Sequence, residues 1–325
     1  MNVQSEAEIV RWTAADIPDQ TGLTTIVTGA NGGLGLETAR GLAAAGAHVV
    51  MAARNQDKAA KAVADIRRGV PDASLEVVAL DLGSQASVRE AAGRILAAHD
   101  KIDILVNNAG VMGIPERRTV DGFEMQLGVN HLGHYALTAL LMPALLRADA
   151  ARIVTVTSTA HHMGRALDPA NPHLEGRYGP WRAYGQAKLA NFHFAIGLQR
   201  RLEATDSLVA SLVAHPGLSN TDLQAVSVQE TGGGFTQRCF HRLAGRTGMS
   251  PEEGARPQLR AATDPAAKGG EFYVPRFVNS GAPVRKPILR RIGMDKAIAR
   301  LWNVSERETG LKIDVHRGKP EPLSA

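Results

Sequence analysis

The stretch TGANGGLG, residues 28–35, decides how the rest of the chain is read. Three of its four glycines, Gly29, Gly33 and Gly35, are separated by three residues and then by one, which is not the G-x-G-x-x-G spacing of the common dinucleotide fingerprint. Taken alone, such a run either cradles a phosphate or merely turns a corner, because glycine suits both tasks. The flanking sequence separates the two. TTIVT (24–28) is a short β-branched run leading into the glycines, and ETARGLAAAG (37–46) has helical composition and stops at Gly46. A glycine turn between a strand and a helix places backbone N–H groups and the positive end of a helix dipole where an anion can sit.

The same alternation continues outward. AHVVMAAR (47–54), SLEVVALDL (74–82) and KIDILVNNAG (101–110) read as strands, with DKAAKAVADIRR (57–68) and SQASVREAAGRILAAH (84–99) as the helices between them. RIVTVTS (152–158) and SLVASLVAHPG (207–217) add two more strands, each after a long helix, and EFYVP (271–275) is placed to close the sheet. Regular β/α alternation predicts an α/β fold, a single doubly wound parallel sheet of about seven strands with helices on both faces. The expected organisation is an N-terminal extension over 1–20, one nucleotide-binding domain over 21–280 with a substrate loop at 218–248, and a basic C-terminal extension over 281–325.

Composition sets the outer limits. The chain has 325 residues, 44% hydrophobic and 21% charged, enough for one sizeable core. Cys239 is the single cysteine, so no intrachain disulfide forms, and a reducing, cytoplasmic setting is expected. No apolar run is long enough for a membrane span, and the acidic first twenty residues do not resemble a signal peptide. The net charge of +5 owes much to Arg285, Lys286, Arg290, Arg291 and Lys296, read as a solvated basic face and not as a nucleic-acid patch. Beside them Ile288, Leu289, Ile292, Ile298, Leu301 and Trp302 form an apolar stripe, which core packing explains as well as peripheral membrane contact does.

Further motifs follow the glycine turn in a fixed order: NNAG (107–110), Asn130 in GVNHLGH, Ser158 in RIVTVTS, Tyr184 and Lys188 in YGQAKLAN, and HPGLSNT (215–221). With T-G-x-x-x-G-x-G, this set resembles the short-chain dehydrogenase/reductase family from about residue 22 to about residue 275. VTSTAHHMG and the long gap that follows it look like the retinol-dehydrogenase-like branch and its bacterial relatives. The resemblance implies a Rossmann-type sheet, a nicotinamide cofactor and interconversion of a carbonyl and an alcohol. It implies cofactor contacts from Gly29, Asn31, Gly33, Leu34, Gly35, Asp81, Leu82, Asn108, Ala109, Gly110, Tyr184, Lys188, Pro216, Gly217, Leu218 and Thr221. Lys188 would also hold the nicotinamide ribose, and Asn130 would anchor a proton-relaying water. A homodimer is a weaker implication, because extra residues before Tyr184 fall near the surface that relatives use for pairing.

The residue types support the same chemistry. A tyrosine four positions ahead of a lysine on a helix puts both on one face, a turn apart. The ordinary phenol pKa is about 10, and a neighbouring ammonium favours the phenolate, so Lys188 is expected to tune Tyr184 as general acid and base. Ser158, at the carboxyl end of its strand, is placed to hydrogen-bond the same substrate oxygen. At the end of the second strand, where an NAD enzyme offers a carboxylate, this chain has Ala53 and Arg54. A guanidinium there suits a 2′-phosphate, so NADP(H) is the expected cofactor, with Asn55 and Lys58 as helpers and Asp57 as the one contrary acid.

Other residues earn no chemical role. His131 with His134, and His161 with His162, lack a metal-binding pattern, and no metal is expected. Cys239 shows no activating partner, and Ser250 with Glu253 reads as a helix capping box. The sequence thus points to an NADP(H)-dependent oxidoreductase acting on a lipophilic ketone, aldehyde or secondary alcohol. The alternative is a protein that binds NADPH as a sensor or scaffold without turnover.

Overall fold

The β-branched run that precedes the glycines forms β1 (Thr24–Thr28), and four of its five residues are buried. The computed structural model describes residues 12–218, 248–288 and 292–316. Around β1 the chain alternates as the periodicity requires: α1 (Gly33–Ala44), β2 (His48–Ala53), α2 (Gln56–Gly69), β3 (Leu75–Ala79), α3 (Gln85–Ala98) and β4 (Ile104–Asn107). A single turn, α4 (Met125–Leu127), and a π-helical stretch over Gly128–Leu132 lead into α5 (Gly133–Arg147). Then come β5 (Arg152–Val156), α6 (Pro180–Glu203), β6 (Ala210–Ala214), α7 (Pro251–Thr263), β7 (Phe272–Pro275), β8 (Pro283–Lys286) and α8 (Met294–Thr309).

The sheet order is β3-β2-β1-β4-β5-β6-β7-β8, and the first seven strands in that order are parallel. The winding runs outward through β2 and β3, then returns to pair β4 with β1, so the carboxyl ends of β1 and β4 part and leave a crevice. Side chains alternate across each strand. Ile26, Val50, Ala52, Leu105 and Ile153 pack under α3, α5, α6 and α8. Val27, Val49, Met51, Val106 and Val154 pack under α1, α2 and α7.

The sheet has eight strands, one more than the sequence predicts. The eighth, β8, pairs antiparallel with β7 in the register Phe272↔Lys286 to Pro275↔Pro283. Its residues, PVRK, carry two charges and a proline, which hides a strand from any reading of apolar periodicity. It is an edge strand, where proline and charge are tolerated. EFYVP therefore lies one strand in from the edge.

The apolar stripe beyond residue 287 is divided. Leu301 and Trp302 are buried, with Trp302 stacked on Phe194 at 5.5 Å and edge-on to Tyr135 at 6.0 Å. Ile298 is also buried, Ile292 is fully exposed, and Leu289 lies outside the described residues. Core packing accounts for the buried part. Residues of the stretch set apart as a C-terminal extension thus supply β8 to the sheet and α8 to the packing on α6. Trp12, within the stretch set apart at the other end, is buried against the opposite face. The capping box of Ser250 and Glu253 is formed in full at the start of α7. Among the described residues no helix is long and apolar enough to cross a membrane.

Candidate active site

The glycine turn opens onto a cleft of about 640 Å³ at the carboxyl ends of the strands. Gly29 and Gly33 have φ of 68° and 52°, a region that side chains disfavour. A Cβ on Gly35 would lie 2.2 Å from the Gly29 carbonyl oxygen, so only glycine lets α1 start this close to β1. No side chain caps the start of α1, and Gly32, Gly33, Leu34 and Gly35 all line the cleft. Uncapped N–H groups, the helix dipole and the lack of Cβ atoms together fit a pyrophosphate.

Behind the turn, the Thr28 hydroxyl is a junction. It accepts from the backbone N–H of Asn108 at 2.9 Å and of Ala109 at 3.0 Å, and it meets His134 Nε2 at 2.9 Å. Burial pushes His134 down to about 4, so the ring is neutral. Its Nδ1 donates to the Asn130 carbonyl oxygen at 2.9 Å, which leaves Nε2 to accept from Thr28. The Asn130 side chain clamps Val111 by accepting from its N–H at 2.7 Å and donating to its carbonyl at 2.9 Å. The neighbouring Gly110 is packed so closely that a Cβ would lie 3.0 Å from Asn130 Oδ1. Asn130 therefore braces the cleft wall from behind and does not itself line the cleft.

Tyr184 and Lys188 lie on α6, one turn apart, and both line the cleft. Lys188 Nζ is 5.8 Å from the centre of the Tyr184 ring and donates to the Val156 carbonyl at 3.2 Å. Thr157 Oγ1 donates to the Lys188 carbonyl at 2.7 Å, which fastens β5 to α6 a second time. Ser158 follows directly and lines the cleft with Tyr184. Burial pushes the Tyr184 phenol up to about 12, and the nearby Ser158 hydroxyl opposes that rise. Burial also pulls Lys188 down to about 8. The lowered phenol pKa expected from the Tyr-Lys pair is thus not what the protein's own groups produce. Desolvation is the leading cause at both side chains, raising the phenol and lowering the ammonium.

The cleft gathers most of the candidate residues. Gly29, Asn31, Arg54, Asp81, Leu82, Asn108, Ala109, Gly110, Pro216, Gly217 and Leu218 line it together with those already described, as do Ala53, Asn55 and Lys58. Asp57 is not among the lining residues. Thr221 falls outside the described residues, as do Cys239 and most of the expected substrate loop over 218–248. Asp81 accepts from the Gly83 N–H at 2.9 Å, which turns the chain after β3. The four discounted histidines have structural partners: Ser305 for His131, Thr28 for His134, the Ser158 carbonyl for His161, and the His161 ring against His162.

Two groups of lining residues were not singled out in the sequence. Asn279, in the β7–β8 connection, accepts through its backbone carbonyl from the Leu218 N–H at 3.1 Å and so holds the HPG segment against the cleft. Met112, Ile114 and Met125 form an apolar wall after β4. Apart from Met125, which opens the single turn α4, these residues stand outside strands and helices, and their proximity depends on loop paths.

Comparison with known proteins agrees with the geometry. Residues 23–232 match the short chain dehydrogenase family profile. The chain is 42% identical to a mouse polyprenol dehydrogenase over 78% of its own length and 75% of the relative's. It is 37% identical to human retinol dehydrogenase 13, over 93% and 88%. A crystal structure of an uncharacterized protein from Mycobacterium paratuberculosis superposes with a TM-score of 0.75 at 39% identity, covering 93% of this chain and 99% of the other. A Rossmann-type sheet, a phosphate-ready glycine turn and matched sequence over most of the chain leave one assignment: this is an oxidoreductase of the short-chain dehydrogenase/reductase family, in its retinol-dehydrogenase-like branch.

Proposed function

We propose that the protein is an NADP(H)-dependent carbonyl/alcohol oxidoreductase with Tyr184 as the general acid and base. The observation that carries the reading is that buried Tyr184, a helical turn from Lys188, shares with Ser158 the cleft that the glycine turn opens. When bound, the nicotinamide supplies or accepts the hydride. The residues of the chain handle the proton. At neutral pH a phenol raised to about 12 keeps its proton, so Tyr184 is set to donate it to the oxygen of a carbonyl under reduction. In the reverse direction it takes the alcohol's proton, which is easier beside the Lys188 ammonium and a cationic ring. Ser158 orients the same oxygen, and Lys188 binds the ribose hydroxyls from a position fixed by Val156.

Arg54 and the absence of a carboxylate at the end of β2 support NADP(H) over NAD(H). The wall of Met112, Ile114 and Met125 favours a lipophilic substrate, since thioether and branched side chains accept varied apolar shapes without a polar partner. The names of the retinol and polyprenol dehydrogenase relatives agree with such a substrate class. A panel of lipophilic ketones and aldehydes, followed by loss of NADPH absorbance, tests the reading. Tyr184→Phe is expected to bind NADPH as the unaltered protein does, while turnover falls by about 10²-fold to 10⁴-fold. NADPH binding with no substrate consumed across the panel would favour the sensor or scaffold reading.

A further inference from the structure

At the end of the sheet opposite the cofactor cleft, three potential ligand atoms converge. His48 is the first residue of β2, Glu76 stands in β3, and His99 caps the carboxyl end of α3. In the β2–β3 register Val50 faces Glu76, so His48 and Glu76 project from the same face of the sheet, which α3 covers. Glu76 Oε2 lies 2.8 Å from His99 Nε2 and 3.5 Å from His48 Nε2. The two imidazole centres are 5.1 Å apart, and the three ligand atoms all fall within 4.8 Å of one another.

We propose that His48, Glu76 and His99 form a structural zinc site that clips β2, β3 and the end of α3 together. Two neutral imidazoles and one carboxylate carry a single negative charge, which suits a dication. A nitrogen-rich donor set selects zinc over calcium or magnesium, which require oxygen. In a tetrahedral site with ligand bonds of about 2.0 to 2.1 Å, the ligand atoms stand about 3.3 to 3.4 Å apart. The two separations from Glu76 Oε2, 2.8 and 3.5 Å, bracket that value, and with all three ligand atoms within 4.8 Å of one another side-chain rotation can close the set around one ion. His48 is also oriented from behind. Its Nδ1 is 2.7 Å from Ser74 Oγ, which holds the ring with Nε2 directed at Glu76. The ligand side chains are 31%, 34% and 14% exposed, leaving a path for the ion and a solvent-facing fourth position for water. No reaction is assigned to the site, because the substrate cleft lies at the other ends of the strands.

The test is zinc titration of the full chain after chelator treatment, followed by calorimetry and by thermal unfolding. One zinc per chain is expected, with a higher unfolding midpoint when zinc is present. Glu76→Gln and His99→Asn should each weaken binding at least tenfold and abolish the zinc-dependent rise in midpoint. Ser74→Ala, which leaves all three ligands in place, should weaken it about 10-fold to 100-fold. Each variant should bind NADPH normally, which shows that it is folded. The proposal is overturned if zinc does not bind stoichiometrically, or if the variants bind it as tightly as the unaltered protein does. The second result would place the metal on other histidines or on Cys239.

Discussion

Lys188 Nζ donates to the carbonyl oxygen of Val156 at 3.2 Å, so the ammonium beside Tyr184 is tied to the strand that leads into Ser158. Together with the Thr157 hydroxyl on the Lys188 carbonyl and the Asn191 amide on the Val156 carbonyl, it sets the spacing between α6 and β5, the two elements that deliver the proton donor and its hydroxyl neighbour. It is also a titratable link. Burial pulls Lys188 down to about 8, while the Tyr184 phenol titrates near 12. The rate of carbonyl reduction is therefore expected to fall along an alkaline limb centred near 8, where the ammonium is lost.

Stability distinguishes that limb from unfolding. A lysine whose pKa is lowered by folding holds fewer protons than it does in the unfolded chain between about 8 and 10.5. Its contribution to stability rises with pH across that window while activity declines. Rate profiles measured alongside denaturant midpoints check both signs. A limb that appears only where the phenol ionises would show that Lys188 does not control the rate.

Arg54→Ala is expected to weaken NADPH binding by about 10-fold to 100-fold, the worth of a charge-assisted hydrogen-bond pair of roughly 1.5 to 3 kcal/mol. NADH, with no 2′-phosphate, should lose little. Fluorescence titration of the two cofactors gives the comparison, and equal losses would remove Arg54 from the phosphate pocket.

What the sequence shows of this protein depends on how local the cause is. The Gly29–Gly35 turn, the alternation through β6 and the pairing of Tyr184 with Lys188 arise from neighbours along the chain, and all are readable there. The β8 strand is not, because Pro283, Arg285 and Lys286 gain strand conformation only from pairing with β7. Asn279 reaches the cleft for the same non-local reason. The direction of the Tyr184 shift also escapes sequence reasoning. Spacing shows that an ammonium is near but not that both groups are dehydrated.

Glu124 makes stability depend on pH. Its carboxylate accepts from the Gln126 N–H at 2.8 Å and the Leu127 N–H at 2.7 Å, capping the turn next to the π-helical stretch that carries Asn130. Burial nevertheless pushes it up to about 7 from 4.5. The folded chain then holds a proton that the unfolded chain has released between those values. Stability from this group is present below 4.5 and is lost as pH rises through 7, a change of roughly 3 kcal/mol at most. Glu124→Gln should flatten the dependence. Urea midpoints for both proteins at about pH 5 and about pH 8 test this, and parallel curves would assign the sensitivity elsewhere.

Trp302 tests whether the residues beyond 280 belong to the folding unit. Its ring stacks on Phe194, meets the Arg201 guanidinium at 4.4 Å and packs so tightly on α6 that a Cβ at Gly197 would lie 2.7 Å from it. Truncation would remove a buried indole from between α6 and α5 and leave a cavity in a wall shared with the helix of Tyr184 and Lys188. Trp302→Ala is expected to cost about 3 to 5 kcal/mol in chemical denaturation. Ile292→Ala, at a fully exposed position two residues before α8, should change stability by less than about 0.5 kcal/mol. A single unfolding transition, shifted as a whole in Trp302→Ala, is the outcome for one cooperative core. If the two substitutions behave alike, or an early separate transition appears for α8, the C-terminal residues are an appendage and the catalytic helix is braced by other contacts.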